Sequence, residues 1–305
     1  MKIGINGTGL VQKASVAAVA AHAEAAAADG FASYWLAEHP TGGFDALTVL
    51  ALVGQRVTGI ELGTAIVPTF PRHPMVLAGQ ALTTAASIDD RLTLGIGLSH
   101  EPMMAQLGIG FDKPIRHLRE YLTILMSLMR TGRSDFAGET LSCHAELFQH
   151  PRTTTQVVVA ALGPQALKVA GSLADGTTLA WVGPRTVREH IAPRISAAAE
   201  AAGRKQPRII ATLPVCVTEE PESVRDAIAR SLSMYGRLPS YRAMFEREGV
   251  DGPADVAIVG GAAEVEDRIR AMAAAGVTDF AASEFVRSPT EREATRALLC
   301  ELQAG

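Results

Sequence analysis

Residues 156–181, QVVVAALGPQALKVAGSLADGTTLAW, hold a strand, a helix and a second strand in close succession. Gln156–Ala161 is an apolar, β-branched run. Pro164–Ala174 is helix-like and opened by proline, and Gly176–Trp181 is apolar again. Two strands joined through a helix pair in parallel, because the chain needs a long crossover to return to the starting edge. The same unit recurs outward in both directions. Strands are expected at Lys2–Asn6, Phe31–Ala37, Ile60–Val67, Arg91–Ile96, Arg208–Val217 and Val277–Phe285 as well. Helices are expected at Val11–Asp29, Asp45–Gln55, Pro74–Ile88, Pro114–Thr131, Pro184–Ala202, Pro221–Tyr235 and Ala262–Ala275, with a terminal helix at Pro289–Leu302. Most strand runs are continuously apolar, as strands buried on both faces should be. Eight strand–helix units in 305 residues predict an α/β fold, a single-domain (β/α)8 TIM barrel spanning 1–305. In such a barrel, reacting groups sit at the carboxyl ends of the strands.

Three long connections interrupt the rhythm: one after strand 4 (Gly97–Lys113), one after helix 4 (Gly132–Thr155) and one after helix 7 (Gly236–Gly261). Long connections in a compact domain are commonly functional or mobile. The first and third are expected at the upper rim. The second is expected to contain a small hairpin turning at Phe136-Ala137-Gly138-Glu139.

The 28 basic and 32 acidic residues leave a net charge of −4, which gives no reason to expect nucleic acid or an anionic membrane as partner. No stretch is apolar enough to span a bilayer. Ala14–Ala28 has the composition of a signal peptide, but it carries His22, Glu24 and Asp29 nearby and lacks a basic leader, so it is read as the first barrel helix. Cys143, Cys216 and Cys300 show neither metal nor disulfide spacing, which points to a reducing cytoplasm. His144 and His150 lack a third ligand, so no metal is expected. There is no nucleophile elbow and no phosphate loop, and no lysine stands at a strand's carboxyl end for Schiff-base chemistry. Met126 and Met129 repeat with Leu122 and Leu125 at helical spacing and are read as core.

The strand ends carry the candidate chemistry. Strand 2 runs into Glu38-His39, a carboxylate and an imidazole of which one should face the centre while the other braces it. An imidazole can move a proton near neutral pH. Strand 3 ends in the small residues Gly63, Thr64 and Ala65, which suit either a flat ligand or ordinary packing. Strand 4 ends Gly95-Ile96-Gly97-Leu98-Ser99-His100-Glu101, with glycines that let a ligand approach backbone and a second acid–base pair. Strands 5 and 6 each lead into a Gly-Pro helix start, at Gly163-Pro164 and Gly183-Pro184. Free amides at two such N-termini side by side would form a phosphate cradle; either one could equally be a plain helix start.

Three stretches then carry a resemblance: Gly30–His39, Arg91–Gly97, and Val158–Pro164 continuing through Ala170-Gly171-Ser172-Leu173-Ala174-Asp175-Gly176. Together they resemble the bacterial luciferase-like monooxygenase superfamily over the whole chain, and most of all its branch using the deazaflavin coenzyme F420; the other branch uses reduced FMN. The resemblance implies a flavin-like ring in the barrel mouth against a non-proline cis peptide at Ala65–Ile66. It implies a phosphate at Ala161, Leu162 and Gly163 with Trp181 and Val182 near by. Glu38, Gly97, Leu98 and Ala160 complete the implied cofactor contacts. His39 matches an active-site histidine of deazaflavin-dependent sugar-phosphate dehydrogenases, and Glu101 falls near their catalytic glutamate. Leu98-Ser99-His100 is less glycine-rich than the matching segment, and Thr41, Gly42 and Gly43 stand where those enzymes carry a tryptophan, so the sugar-phosphate activity is not carried over. The expected function is hydride transfer between deazaflavin C5 and a small-molecule substrate by a cytoplasmic homodimer. His39 or Glu101 would handle the proton, with Met103, Met104 and Leu107 suggesting an uncharged or partly apolar substrate and Arg237, Arg242 and Arg247 either meeting the coenzyme tail or standing as surface charge. An FMN monooxygenase and a non-catalytic flavin-binding protein are the alternatives.

Overall fold

A computed structural model describes residues 1–11 and 15–304. Eight parallel strands close into a barrel: β1 Lys2–Asn6, β2 Ser33–Leu36, β3 Glu61–Thr64, β4 Leu92–Gly97, β5 Gln156–Val159, β6 Gly176–Ala180, β7 Arg208–Val217 and β8 Asp279–Glu284. Each pairs with the next, and β8 pairs with β1. The expected (β/α)8 architecture is observed.

Period-two alternation sorts each strand into an outer face under the helices and an inner face filling the barrel. The inner residues stack in layers. At the lower end, Arg208 donates to Glu61 at 2.9 Å, to Asp279 at 2.7 Å and to Gln156 at 2.7 Å. Above it, Trp35, Val158, Ile210 and Ala281 form a separate apolar cluster. The wholly buried Trp35 donates its indole N–H to Ser33 Oγ at 2.8 Å, and Gly63 leaves room for its ring. The next inner layer is small or polar: Asn6, Ala65, Gly97, Ala160, Ala180 and Thr212. The barrel is therefore solid below and shallow above, which leaves its mouth as the place for a ligand.

The differences from the sequence reading have local causes. The strand expected at Ile60–Val67 is two pieces, because Ala65–Ile66 is a cis peptide, as the resemblance implied. Across this break the Thr64 hydroxyl takes over the ladder, accepting from Gly95 N and donating to Gly95 O, both at 2.8 Å. The helix expected at Val11–Asp29 is observed as Thr8–Val11 and Val16–Ala28, the latter capped by Ser15 Oγ; residues 12–14 lie outside the described part. The helix expected at Pro184–Ala202 contains a π-type turn at Val187–Ile191. Pro193 lacks an N–H and crowds the preceding turn, so the helix widens there. Arg194 Nη1 donates to the Glu189 and His190 carbonyls at 3.4 and 3.1 Å.

The hairpin appears as Arg133–Ala137 paired antiparallel with Ser142–Glu146. Its turn is held by the buried Glu120, which accepts from the amides of Glu139, Thr140 and Leu141. The third insertion is more ordered than expected: it holds a 3-10 turn, Tyr235–Arg237, and helices Pro239–Glu248 and Pro253–Val256. It ends in a strand, Ile258–Gly260, that pairs with the overhanging end of β7.

Beyond the cis bond the chain is anchored by His117, whose Nε2 lies 3.1 Å from Thr69 Oγ1 and whose ring stacks on Phe70 at 4.0 Å. Burial pushes this imidazole down to about 4. The unfolded chain takes up that proton near the ordinary value of about 6.5, so stability falls as pH drops from there to the folded value. The loss should reach about 3 kcal/mol near pH 4 and be absent above neutrality. Thermal melts across pH 4.5–7.5 test this, since His117→Gln should make the wild-type slope shallower in that window. Glu120, held down to about 2 by its amide and hydroxyl donors, loses its own contribution only at lower pH.

Candidate active site

Because Trp35 points inward, alternation continued past the end of β2 predicts Ala37 and His39 inward and Glu38 outward. The contacts of Glu38 agree. Glu38 Oε2 accepts from Ala46 N at 3.1 Å, and Oε1 accepts from Arg72 Nη1 at 2.6 Å. Arg72 also pairs with Asp45, the N-cap of helix Ala46–Gly54. Glu38 is thus the brace of the pair. Both of its oxygens are engaged by the chain itself.

His39 is half-buried, and burial holds its imidazole below the ordinary histidine range. His100 is lowered first by burial and then by the charge of His39, so the two rings lie within electrostatic reach. Both are neutral at pH 7, the form that accepts a proton. Glu101 opens the short helix Glu101–Gln106 and is exposed, without a hydrogen-bond partner among the described residues. Of the polar pair after β4, His100 takes the sheltered place.

The third insertion crosses the barrel mouth. His100 lies 5.4 Å from Tyr241, Tyr241 5.7 Å from Tyr235, and Tyr235 5.0 Å from Trp181, centroid to centroid. This arc joins the ends of β4 and β6 through residues 235–241. Burial raises both phenols, so they stay protonated donors at neutral pH. Trp181 and Ser99, each just past a strand end, have φ of 62°, a left-handed conformation uncommon for such residues and often found at functional sites. Met104 is wholly buried and serves the core; Met103 is half-buried and Leu107 exposed, so the rim reading holds for fewer residues than expected.

The expected ring-backing residues come together. A Cβ on Gly97 would stand 3.0 Å from both Ala160 Cβ and Ile66 Cγ1, which brings the cis bond, β4 and the end of β5 together. Leu98 packs half-buried beside the core. Ala161 and Val182 are 1% exposed and can offer only backbone.

The two helix starts differ. At Gly163 no side chain caps the helix Pro164–Leu173, and a Cβ there would meet nothing within 4 Å. The amides of Leu162 and Gly163 have no protein acceptor among the described residues, which fits an anionic group such as a phosphate. At Gly183 the place is taken: Glu248 accepts from Arg185 N at 3.1 Å and Thr186 N at 2.7 Å. The expected double cradle is corrected to a single one, because a carboxylate from the third insertion occupies the other. Of the three insertion arginines, Arg242 pairs with Glu246 at 3.7 Å on the surface, and Arg237 and Arg247 are exposed.

The sequence model of the luciferase-like monooxygenase family matches residues 3–279. The chain belongs to the luciferase-like monooxygenase family. Among curated relatives of this family member, an F420-dependent glucose-6-phosphate dehydrogenase of Mycolicibacterium gilvum is 30% identical over 52% of this chain and 49% of its own. One of the same description from Microbacterium testaceum is 27% identical over 63% and 61%. The matches thus span about half and about three fifths of those relatives. In structure, the coenzyme F420-dependent tetrahydromethanopterin reductase of Methanopyrus kandleri superposes with a TM-score of 0.82 over 98% of this chain and 97% of that one, at 20% identity. That likeness speaks to the fold.

Asn6, Thr212, Tyr235 and Tyr241 were not singled out from the sequence of this luciferase-like barrel. Alternation in β1 and β7 would have found the first two, which approach each other at 3.5 Å (Asn6 Nδ2 to Thr212 Oγ1) on the inner face. No local pattern marks the tyrosines.

Proposed function

We propose that the chain is an F420-dependent oxidoreductase acting on a small organic substrate, with His39 as the proton-transferring group. The observation carrying this is the half-buried His39 just past the end of β2, within electrostatic reach of His100, in a barrel whose helix start at Gly163 has no capping side chain. The F420-dependent relatives support the choice of cofactor over FMN. Bound in the mouth, a deazaflavin supplies a carbon centre that gives or accepts hydride and reacts poorly with oxygen. The patch of Ala65, Ile66, Gly97 and Ala160 would lie against its ring, and Leu162 and Gly163 N–H would hold its phosphate. His39 Nε2 or Nδ1 takes the hydroxyl proton when a substrate alcohol gives up hydride, and returns it in the reverse direction. His100, Tyr241 and Tyr235 wall the substrate space above. Glu101 is retained as a second proton carrier. We further place the enzyme in the cytoplasm, from its unpaired cysteines, as a single domain, from its unbroken strand–helix rhythm, and as a homodimer, which is what the resemblance implies. Among the described residues no helix is long and apolar enough to cross a membrane.

Separate fluorescence titrations with F420 and FMN test this reading. Tight binding of F420, with its reduction by an alcohol or its reduced form oxidised by a carbonyl compound, is the expected result. Binding of FMN alone with oxygen consumption would make it a monooxygenase, and binding without turnover a carrier.

A further inference from the structure

The cradle at Gly163 is supported from beneath by a residue outside the mouth. His190, 3% exposed, lies in the π-type turn of the helix that follows β6. Its Nε2 is 2.7 Å from the Leu162 carbonyl oxygen. A carbonyl can only accept, so Nε2 carries the proton and donates it. Burial, with Arg247 and Arg194 near by, keeps the imidazole neutral. Nδ1 is then a buried acceptor with no partner among the described residues. A histidine committed to one bond, at the cost of an orphaned second nitrogen, has been placed for that bond.

The geometry points to His190 as a positioning residue for the cofactor's phosphate. The peptide joining Leu162 to Gly163 is planar and trans, so its C=O and N–H point in opposite directions. Fixing Leu162 O on His190, under the helix layer, directs Gly163 N–H the other way. That N–H has no backbone acceptor among the described residues, and a Cβ on Gly163 would meet nothing within 4 Å, so the helix start is open beside it. Without the bond the peptide can rotate and offer its carbonyl, which would repel an anion. The widened turn made by Pro193 is part of the device, since it sets the register in which His190 reaches residue 162. This inference rests on the proposed reading of Gly163 as the phosphate site.

The test compares binding of F420 with binding of the same chromophore lacking its phosphate, for wild type, His190→Leu and His190→Gln. If wild type binds FMN instead, FMN and riboflavin form the equivalent pair. The expected result is a loss of about tenfold or more for the phosphorylated ligand in His190→Leu, with the phosphate-free ligand unchanged. His190→Gln, which keeps a donor at the same reach, should restore most of the affinity. Equal losses for both ligands, or an unchanged ratio in His190→Leu, would overturn the role of His190 while leaving the cradle intact. A wild type that binds both ligands equally would remove the cradle reading itself, and His190's role with it.

Discussion

His39→Ala is expected to lower kcat by about 10²–10⁴-fold, the range a positioned general acid–base group supplies. The affinity for the deazaflavin should stay unchanged, because the cradle and the ring-backing patch lie on β3 to β5 and not on the β2 end. The direction of the pH effect follows from burial. In the proposed alcohol oxidation the neutral imidazole would be the working base, and burial lowers its proton affinity. Activity should therefore hold from neutrality to below the ordinary histidine value and fall as pH drops through the lowered one. In His39→Ala that acid limb should vanish along with the rate. A kcat loss under tenfold, or an acid limb that persists in His39→Ala and disappears in His100→Ala, would transfer the role to His100.

Arg208→Met is expected to cost about 3–5 kcal/mol, the usual price of leaving buried partners without their countercharge. Arg208 is 16% exposed in its side chain, Asp279 5% and Glu61 22%, so solvent does little to replace the lost cation. Both carboxylates belong to the lowest inner layer, and Thr278 and Thr93 donate to them at 2.6 and 2.7 Å. For a chain of this size the melting temperature should drop by roughly 5–8 °C. Adding Glu61→Gln and Asp279→Asn should recover part of the loss, since neutral amides no longer need the guanidinium. Urea melts of the single and triple variants measure the coupling. A triple variant no more stable than Arg208→Met would mean that packing, and not charge, holds the barrel's lower end.

These two residues also show how differently the parts of the molecule could be read from the chain. Arg208 stands at the head of an apolar run, so its strand was legible, but its partners are 147 and 71 residues away. Glu38 and His39 were legible as a pair of opposite orientation. Which one faced the centre was not, because that depends on the parity set by Trp35 and on where Arg72 falls. The patch at Ala65, Ile66, Gly97 and Ala160 was reached through resemblance, and three-dimensional proximity then joined its members.

The chain alone determined the barrel. Apolar runs of strand length and the helix-like runs between them are local signals, and their eightfold repetition leaves a closed parallel sheet as the arrangement that buries them all. Tertiary structure alone decided how the mouth is finished. Glu248 closes the helix start at Gly183 from 62 residues beyond Thr186, Tyr241 reaches across to His100, and His190 holds the Leu162 carbonyl from 28 residues away. Such contacts join side chains whose surrounding sequence carries no trace of the partner, since a hydrogen bond or ring contact depends on position in space and not on spacing along the chain.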